Sequence, residues 1–425
     1  MRFKPYSIPF LGHIPWMIMQ PTECLLNILG NVSHGTPVDQ SSILRLGQKS
    51  WIVSRDPNLM LDILTRHRKT FPRGRTLDEV RAICMGFNGI NEADGEEWLL
   101  LRRVLQSGFD SMSYQSMGER LQRICREFID QLHDGQIVDA HNMGSRFAMA
   151  GICGVLFGYD INLSRKTSPL LEEQDYITKQ LMIRYKRTPL WKYLPLPSNF
   201  KVRLYAKRQL AFLADLVHSD NAGSDLIDTL KSARENEKIS EMHLLMLMSN
   251  LLGAGTETTA TSLQWVLHFL SRYPEWQDDL KCIPRVIDEV LRLRPSIPVI
   301  LRESAEEQRV RGINFRKGDF VACLVNKIHT NPQTWGRDSF EFKPGRFANN
   351  RYTQEHFKNN YFPFGAGPRQ CIGSKFAKLE MKLFLEALLK EYRVESAYAV
   401  DPKPVLEFSW KPKKSLAFRL IRRGM

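Results

Sequence analysis

Ten residues constrain this chain more than any other stretch: Phe364-Gly365-Ala366-Gly367-Pro368-Arg369-Gln370-Cys371-Ile372-Gly373. Two glycines and a proline ahead of a cysteine specify a tight loop, and Ser374–Tyr392 behind it has helical periodicity. Cys371 therefore stands at a helix N-terminus, where backbone N–H groups and the helix dipole favour a thiolate over a thiol. Arg369 adds positive charge, and the glycines let backbone approach a flat ligand that any Cβ would hold off. A thiolate so presented is a strong electron donor to an iron. Isolated cysteines are ordinarily small core residues, and that reading suits Cys24, Cys84, Cys125, Cys153, Cys282 and Cys323. Seven scattered cysteines form no disulfide framework; they suit a reducing compartment, and the expected location is the cytoplasm.

Helical signals dominate the rest. Glu92–Gln106 carries Trp98, Leu101 and Leu105 at helical spacing, and Gly118–His133 repeats Leu121, Ile124, Phe128 and Leu132. Ile239 to about Ser271 reads as one unusually long helix, stopped by Tyr273-Pro274. A further helix starts at Pro284 and ends before Pro295. Strands are expected at Ser42–Leu46 with Ser50–Ser54, at Val299–Glu303, at Asp319–Leu324, and at Val405–Trp410 paired with Ser415–Leu420 as a terminal hairpin. No repeat or flexible linker divides the chain, so residues 1–425 read as one mainly helical domain with small β-sheets.

The net charge of +14 points to acidic partners. Basic and aromatic residues do not interleave as in a strand-binding groove, which disfavours nucleic acid. The N-terminal residues contain no apolar run long enough for a signal peptide or a membrane span, so no transmembrane anchor is expected. His243–Gly255, the longest apolar run, is too short to span and reads as a buried helix.

Within that helix lies Ala254-Gly255-Thr256-Glu257-Thr258-Thr259. Mid-helix glycine costs about 1 kcal/mol, and threonine competes for backbone carbonyls. An acid beside an alcohol there can relay protons through water; taken alone, the stretch reads better as a kinked core helix with satisfied polar groups. Glu289 and Arg292 lie three apart on one helix face, within pairing distance. Trp98 and Arg102 are one turn apart, as in any amphipathic helix with a core tryptophan.

These motifs together resemble the cytochrome P-450 family over nearly the whole chain. The Cys371 loop matches the family's haem signature, Phe-x-x-Gly-x-Arg-x-Cys-x-Gly, at every fixed position. The resemblance implies a mainly α fold with small β-sheets enclosing haem b, with Cys371 as axial iron ligand. Phe364 then packs beside the sulfur, Gly373 closes the loop, and Arg369, Trp98, Arg102 and Arg302 serve the propionates. It casts Thr258 as the hydroxyl that steers protons to dioxygen, Glu257 as the acid of the relay, and Gly255 as room for the oxygen molecule. It completes Glu289-x-x-Arg292 with Arg346 from Pro344-Gly345-Arg346-Phe347, a buried structural triad.

The implied activity is a monooxygenase that inserts one atom of dioxygen into a hydrophobic small-molecule substrate. Its electrons would come from a ferredoxin or flavodoxin type donor with its own reductase. Oxidative coupling or a peroxide-driven reaction is the alternative, disfavoured by retention of Glu257-Thr258. The pocket is expected among Ile83, Met85, Phe87, Met182, Leu251, Ile297, Val299 and Phe408. Arg184–Arg208 reads as a solvated basic lid, leaving peripheral membrane contact open. Arg103, Lys375 and Lys378 are candidates for docking the donor. The expected lack of an anchor looks bacterial, or like a chain whose anchor has been removed, and the short span from Pro274 to Glu289 is unlike membrane-bound relatives, whereas Phe342–Phe347 looks like the membrane-bound branch.

Overall fold

The computed structural model describes residues 41–46, 49–83, 86–161, 168–185, 194–219, 223–236, 238–348 and 352–424. The chain forms two compact units from interleaved segments: one from residues up to Thr76 with Asp288–Cys371, the other from Leu77–Ile287 with Ile372–Met425.

The first unit is built on a four-stranded sheet, ordered Ser42–Leu46, Lys49–Ser54, Phe320–Leu324, Val299–Glu303. Lys49–Ser54 runs parallel to Phe320–Leu324, with Trp51 opposite Phe320; the other pairs are antiparallel. The helix Pro57–Leu64 opens on an Asp56 cap that accepts from the Asn58 N–H at 2.9 Å, with proline in its first turn. Its Leu59, Met60, Ile63 and Leu64 pack with Ile52, Phe71, Phe315, Val321 and Phe362 in one core.

The second unit is helical. Its axis is Glu241–Arg272, 32 residues and about 48 Å long. Ser240 and His243 form a capping box at its start, and it ends at Tyr273, before Pro274. Against it lies Ala140–Gly151, followed by one π-helical turn, Ile152–Leu156. Gly144 makes that approach close, since a Cβ there would stand 3.0 Å from the Ala260 Cα. The helix Ser374–Glu391 is anchored by Phe384, whose ring meets Phe147 at 4.3 Å and Phe128 at 5.7 Å. Among the described residues no helix is long and apolar enough to cross a membrane.

The expected helices lie within a few residues of their sequence positions, at Gly95–Ser111, Tyr114–Ile129, Ile283–Leu293 and the two just given. The terminal hairpin is a correction. Val405–Trp410 does not pair with Ser415–Leu420. Pro404–Leu406 turns back on Trp410–Pro412, because the Glu407 N–H donates to the Ser409 carbonyl at 3.1 Å and closes a turn inside the apolar run. Ala417–Arg422 instead pairs with Tyr392–Ser396 and Ile137–Asp139.

Candidate active site

In the first unit the Cys371 loop is held by its own backbone. The Cys371 N–H donates to the Phe364 carbonyl and the Gln370 N–H to the Gly367 carbonyl, both at 3.0 Å. Gly365 and Gly367 take φ of +74° and +71°, where side chains are strained. A Cβ on Gly367 would collide with the Leu64 carbonyl, so the loop rests directly on the helix Pro57–Leu64. One on Gly365 would meet only Ile300, at 3.8 Å, and one on Gly373 would meet nothing within 4 Å. Phe364 and Arg369 are half-buried; Arg302 is buried on the strand Val299–Glu303 and donates to the Leu301 carbonyl at 2.8 Å.

Cys371 is exposed, whereas Cys125, Cys153, Cys282 and Cys323 are buried. Burial pushes the thiols of Cys125, Cys153 and Cys323 up to about 12, which keeps them protonated and inert. Cys24 and Cys84 lie outside the described residues.

Behind the loop sits a dry ionic cluster. Glu289, Arg292 and Arg346 are each 0% exposed. All five N–H bonds of Arg292 have acceptors: both Glu289 oxygens at 2.7 and 2.8 Å, the carbonyls of His329 and Ser339 at 2.7 Å, and that of Glu341 at 3.3 Å. Arg346 bridges Glu289, at 3.3 Å, to the Asp338 carboxylate, at 2.9 Å. Burial alone would raise Asp338, but Arg346 and Lys343 outweigh it and hold the carboxyl well below the usual range. Sequence reasoning missed His329. Its Nδ1 lies 3.2 Å from the Arg292 carbonyl, and its Nε2 accepts from the Phe362 N–H at 2.7 Å, tying the cluster to the start of the cysteine loop. Burial, reinforced by Arg292, lowers this imidazole to about 3, so it is neutral at physiological pH.

In the second unit Thr258 donates its hydroxyl to the Ala254 carbonyl at 2.7 Å, the back-bond expected of a mid-helix threonine. Glu257 is buried and turned to partners the sequence did not suggest. One oxygen accepts from Ser409 at 2.8 Å and Lys411 at 3.1 Å, and the other lies 3.4 Å from His141 Nε2. At Gly255 an added Cβ would stand 2.7 Å from the Ile152 Cδ1, so the glycine lets the long helix approach the π-helical turn closely. Trp98 is buried and Arg102 half-buried on Gly95–Ser111, a helix that packs on Asp225–Glu235 and on the long helix.

Of the expected pocket walls, Ile83 is buried and packs with Phe408, Leu181 and Val202; Phe87 and Ile297 are exposed, and Leu251 and Val299 are half-buried. Cys84, Met85 and residues 186–193 lie outside the described residues, as does the Met182 side chain. Arg184 corrects the picture of a uniformly solvated lid: it is buried and donates to Asn199 at 2.8 Å.

The cytochrome P-450 family model matches residues 4–282 and 277–418. This chain is a cytochrome P-450.

Pentalenene oxygenase of Streptomyces avermitilis is 26% identical over 99% of this P-450 and 97% of its own length. A 7-deoxyloganic acid hydroxylase of Catharanthus roseus is 23% identical over 90% and 81%, respectively. An 11-oxo-beta-amyrin 30-oxidase of Medicago truncatula is 24% identical over 91% and 82%. The haem domain of cytochrome P-450DA superposes with a TM-score of 0.82 at 21% identity, covering 99% of this chain and 97% of that one. The protein therefore has the P-450 fold, binds haem b, and is a monooxygenase of the oxidoreductase class that draws electrons from a redox partner. Its residues fit that group: the exposed sulfur is a soft donor suited to iron, and a Cβ added at Gly365 or Gly373 in the same loop would meet at most Ile300.

Proposed function

We propose that this P-450 hydroxylates a hydrophobic organic substrate, using electrons from a ferredoxin or flavodoxin type donor. The observation that carries it is the exposed Cys371 on a loop opened by Gly365 and Gly373, in a chain whose other described cysteines are buried. The relatives named as an oxygenase, a hydroxylase and a 30-oxidase support oxygen insertion over a peroxide-driven reaction. When bound, haem supplies the iron that activates dioxygen. Cys371 would ligate that iron, Phe364 would shield the sulfur, Gly373 would close the loop, and Arg369, Arg302, Arg102 and Trp98 would hold the propionates. Thr258 presents a hydroxyl and Glu257 a carboxylate for proton delivery. Arg103 and Lys375 are exposed cations for steering an acidic donor, with Lys378 one turn further on.

The test begins with the reduced carbon monoxide spectrum of the haem-loaded protein. Cys371→Ser should abolish the thiolate-type absorbance, and its survival would remove Cys371 as ligand. Turnover of a substrate found by haem-spectral screening should need a reductase-coupled donor. Turnover with peroxide alone at the same rate would overturn the electron-driven reading.

A further inference from the structure

Glu257 has three polar side-chain neighbours beyond its own helix, and they differ in what they can do with a proton. Ser409 donates to it and also sits 2.7 Å from the Thr261 hydroxyl, a buried bridge between hairpin and helix. Lys411 is held by two carboxylates, Glu257 at 3.1 Å and Glu407 at 3.3 Å. Burial would lower its pKa, but Glu257 and Glu407 outweigh that and raise it above the ordinary value, so Lys411 keeps its proton and acts as a latch. His141 is the third. An imidazole is the one side chain of the three that exchanges protons near neutrality. It is also the most open to water: its side chain is 20% exposed, against 8% for Glu257 and 11% for Lys411.

The geometry is that of a two-ended relay. His141 Nε2 faces Glu257 Oε2 at 3.4 Å, and Nδ1 faces the Ser145 hydroxyl, one turn along its own helix, at 3.3 Å. The contact exists because Gly144 and Ala260 bring the two helices together one turn further on. The charged groups around the ring are Glu257, Lys411 and Glu407 behind it, and Asp139 at the helix cap, which accepts from Ser415 at 2.7 Å.

We infer that His141 is the solvent-side proton entry of this P-450, loading Glu257 from bulk water. A proton from water enters at Nδ1, through or beside the Ser145 hydroxyl, as the Nε2 proton passes to Glu257 Oε2. Once Glu257 has given that proton on toward Thr258, the ring regains its first tautomer by exchange with water, Nδ1 giving up one proton and Nε2 taking one. One proton enters and one leaves, and no electrons move. His141 acts through Glu257 and touches no substrate. The inference rests on the Glu257–Thr258 relay proposed above.

Histidine-selective 15N spectra of the haem-loaded protein should show His141 protonated at Nε2, with that signal moving in Glu257→Gln. A ring protonated at Nδ1 alone would overturn the inference. His141→Gln keeps a hydrogen-bonding group that cannot pass a proton from one ring nitrogen to the other. At high pH it should lower product formed per reductant, releasing peroxide, by about tenfold, less than the ~10²–10⁴ of direct acid catalysis because water can bypass the entry. The pH profiles of wild type and His141→Gln should differ in shape, and Ser145→Ala should give a smaller change of the same sign. Superimposable profiles for wild type and His141→Gln would refute the entry role. Loss of thiolate absorbance in wild type, or full coupling in Thr258→Ala, would instead refute the underlying relay.

Discussion

The Glu289 cluster of the first unit and the Glu257 cluster of the second are each built on a carboxylate with several donors, yet they are opposites in construction. Around Glu289 the acceptors for Arg292 and Arg346 are largely backbone carbonyls, the partners are 0% exposed, and every N–H of Arg292 is used. Around Glu257 all the partners are side chains of Ser409, Lys411 and His141, and two of them reach water. Backbone acceptors cannot swing away or change charge, so the first arrangement has one state. Side-chain partners can rotate and titrate, so the second has several. The contrast separates a charge cluster that fixes a loop from one that can move a proton.

The sharpest break in that comparison is Glu289→Ala, which leaves two buried guanidinium groups undercompensated. Stability should fall by about 3–5 kcal/mol, with loss of haem retention, measured by urea unfolding. Second comes acid lability. His329 is lowered in the folded protein to about 3, against 6.5 in the unfolded chain. The unfolded chain thus takes up this proton first, so the contribution is complete above pH 6.5 and disappears as pH falls from there toward 3. The urea midpoint should drop steeply from pH 7.5 to 4.5, and His329→Gln, weaker at pH 7.5, should lose less over that interval. Equal slopes in both proteins would assign the acid lability elsewhere.

Much of the first cluster could be read from sequence because its members are local or sit in short fixed patterns: Glu289 and Arg292 three apart on one helix, Arg346 behind a proline and a glycine. The same locality made the Cys371 loop legible. His329 was not, because its partner Phe362 lies 33 residues away and nothing in the spacing joins them. The Asn331 cap and Pro332 after it, which open the helix Pro332–Trp335, were the available signal that a turn brings that segment back. Glu257 was readable as an acid beside an alcohol, but His141, Ser409 and Lys411 reach it only through the tertiary fold. The mispaired terminal hairpin has the same cause: alternation marks a strand without naming its partner, and one turn at Glu407–Ser409 redirected it.

Two smaller effects sharpen the comparison. Lys411→Met should cost about 1–2 kcal/mol, well below Glu289→Ala, since His141 and Ser409 still serve Glu257. Peroxide release should nonetheless change, because the latch on Glu257 is gone. Thr258→Ala should alter stability least, within about 1 kcal/mol, as its hydroxyl back-bonds to Ala254 within its own helix. Its reductant consumption should persist while product falls and peroxide rises. A stability loss as large as that of Glu289→Ala would mean Thr258 is a structural residue.

The parallel pairing of Lys49–Ser54 with Phe320–Leu324 has a consequence for the ribosome. Trp51 emerges early and waits for Phe320, which at ~5–20 residues per second takes roughly 15–50 s. Until then one edge of the early hairpin has no neighbour, and Ile52 has only the early part of its core, Leu59 to Phe71, to pack on, without Phe315, Val321 and Phe362. Slowing elongation between those two strands should divert more of the protein into aggregates, unless holdase chaperones are raised alongside it.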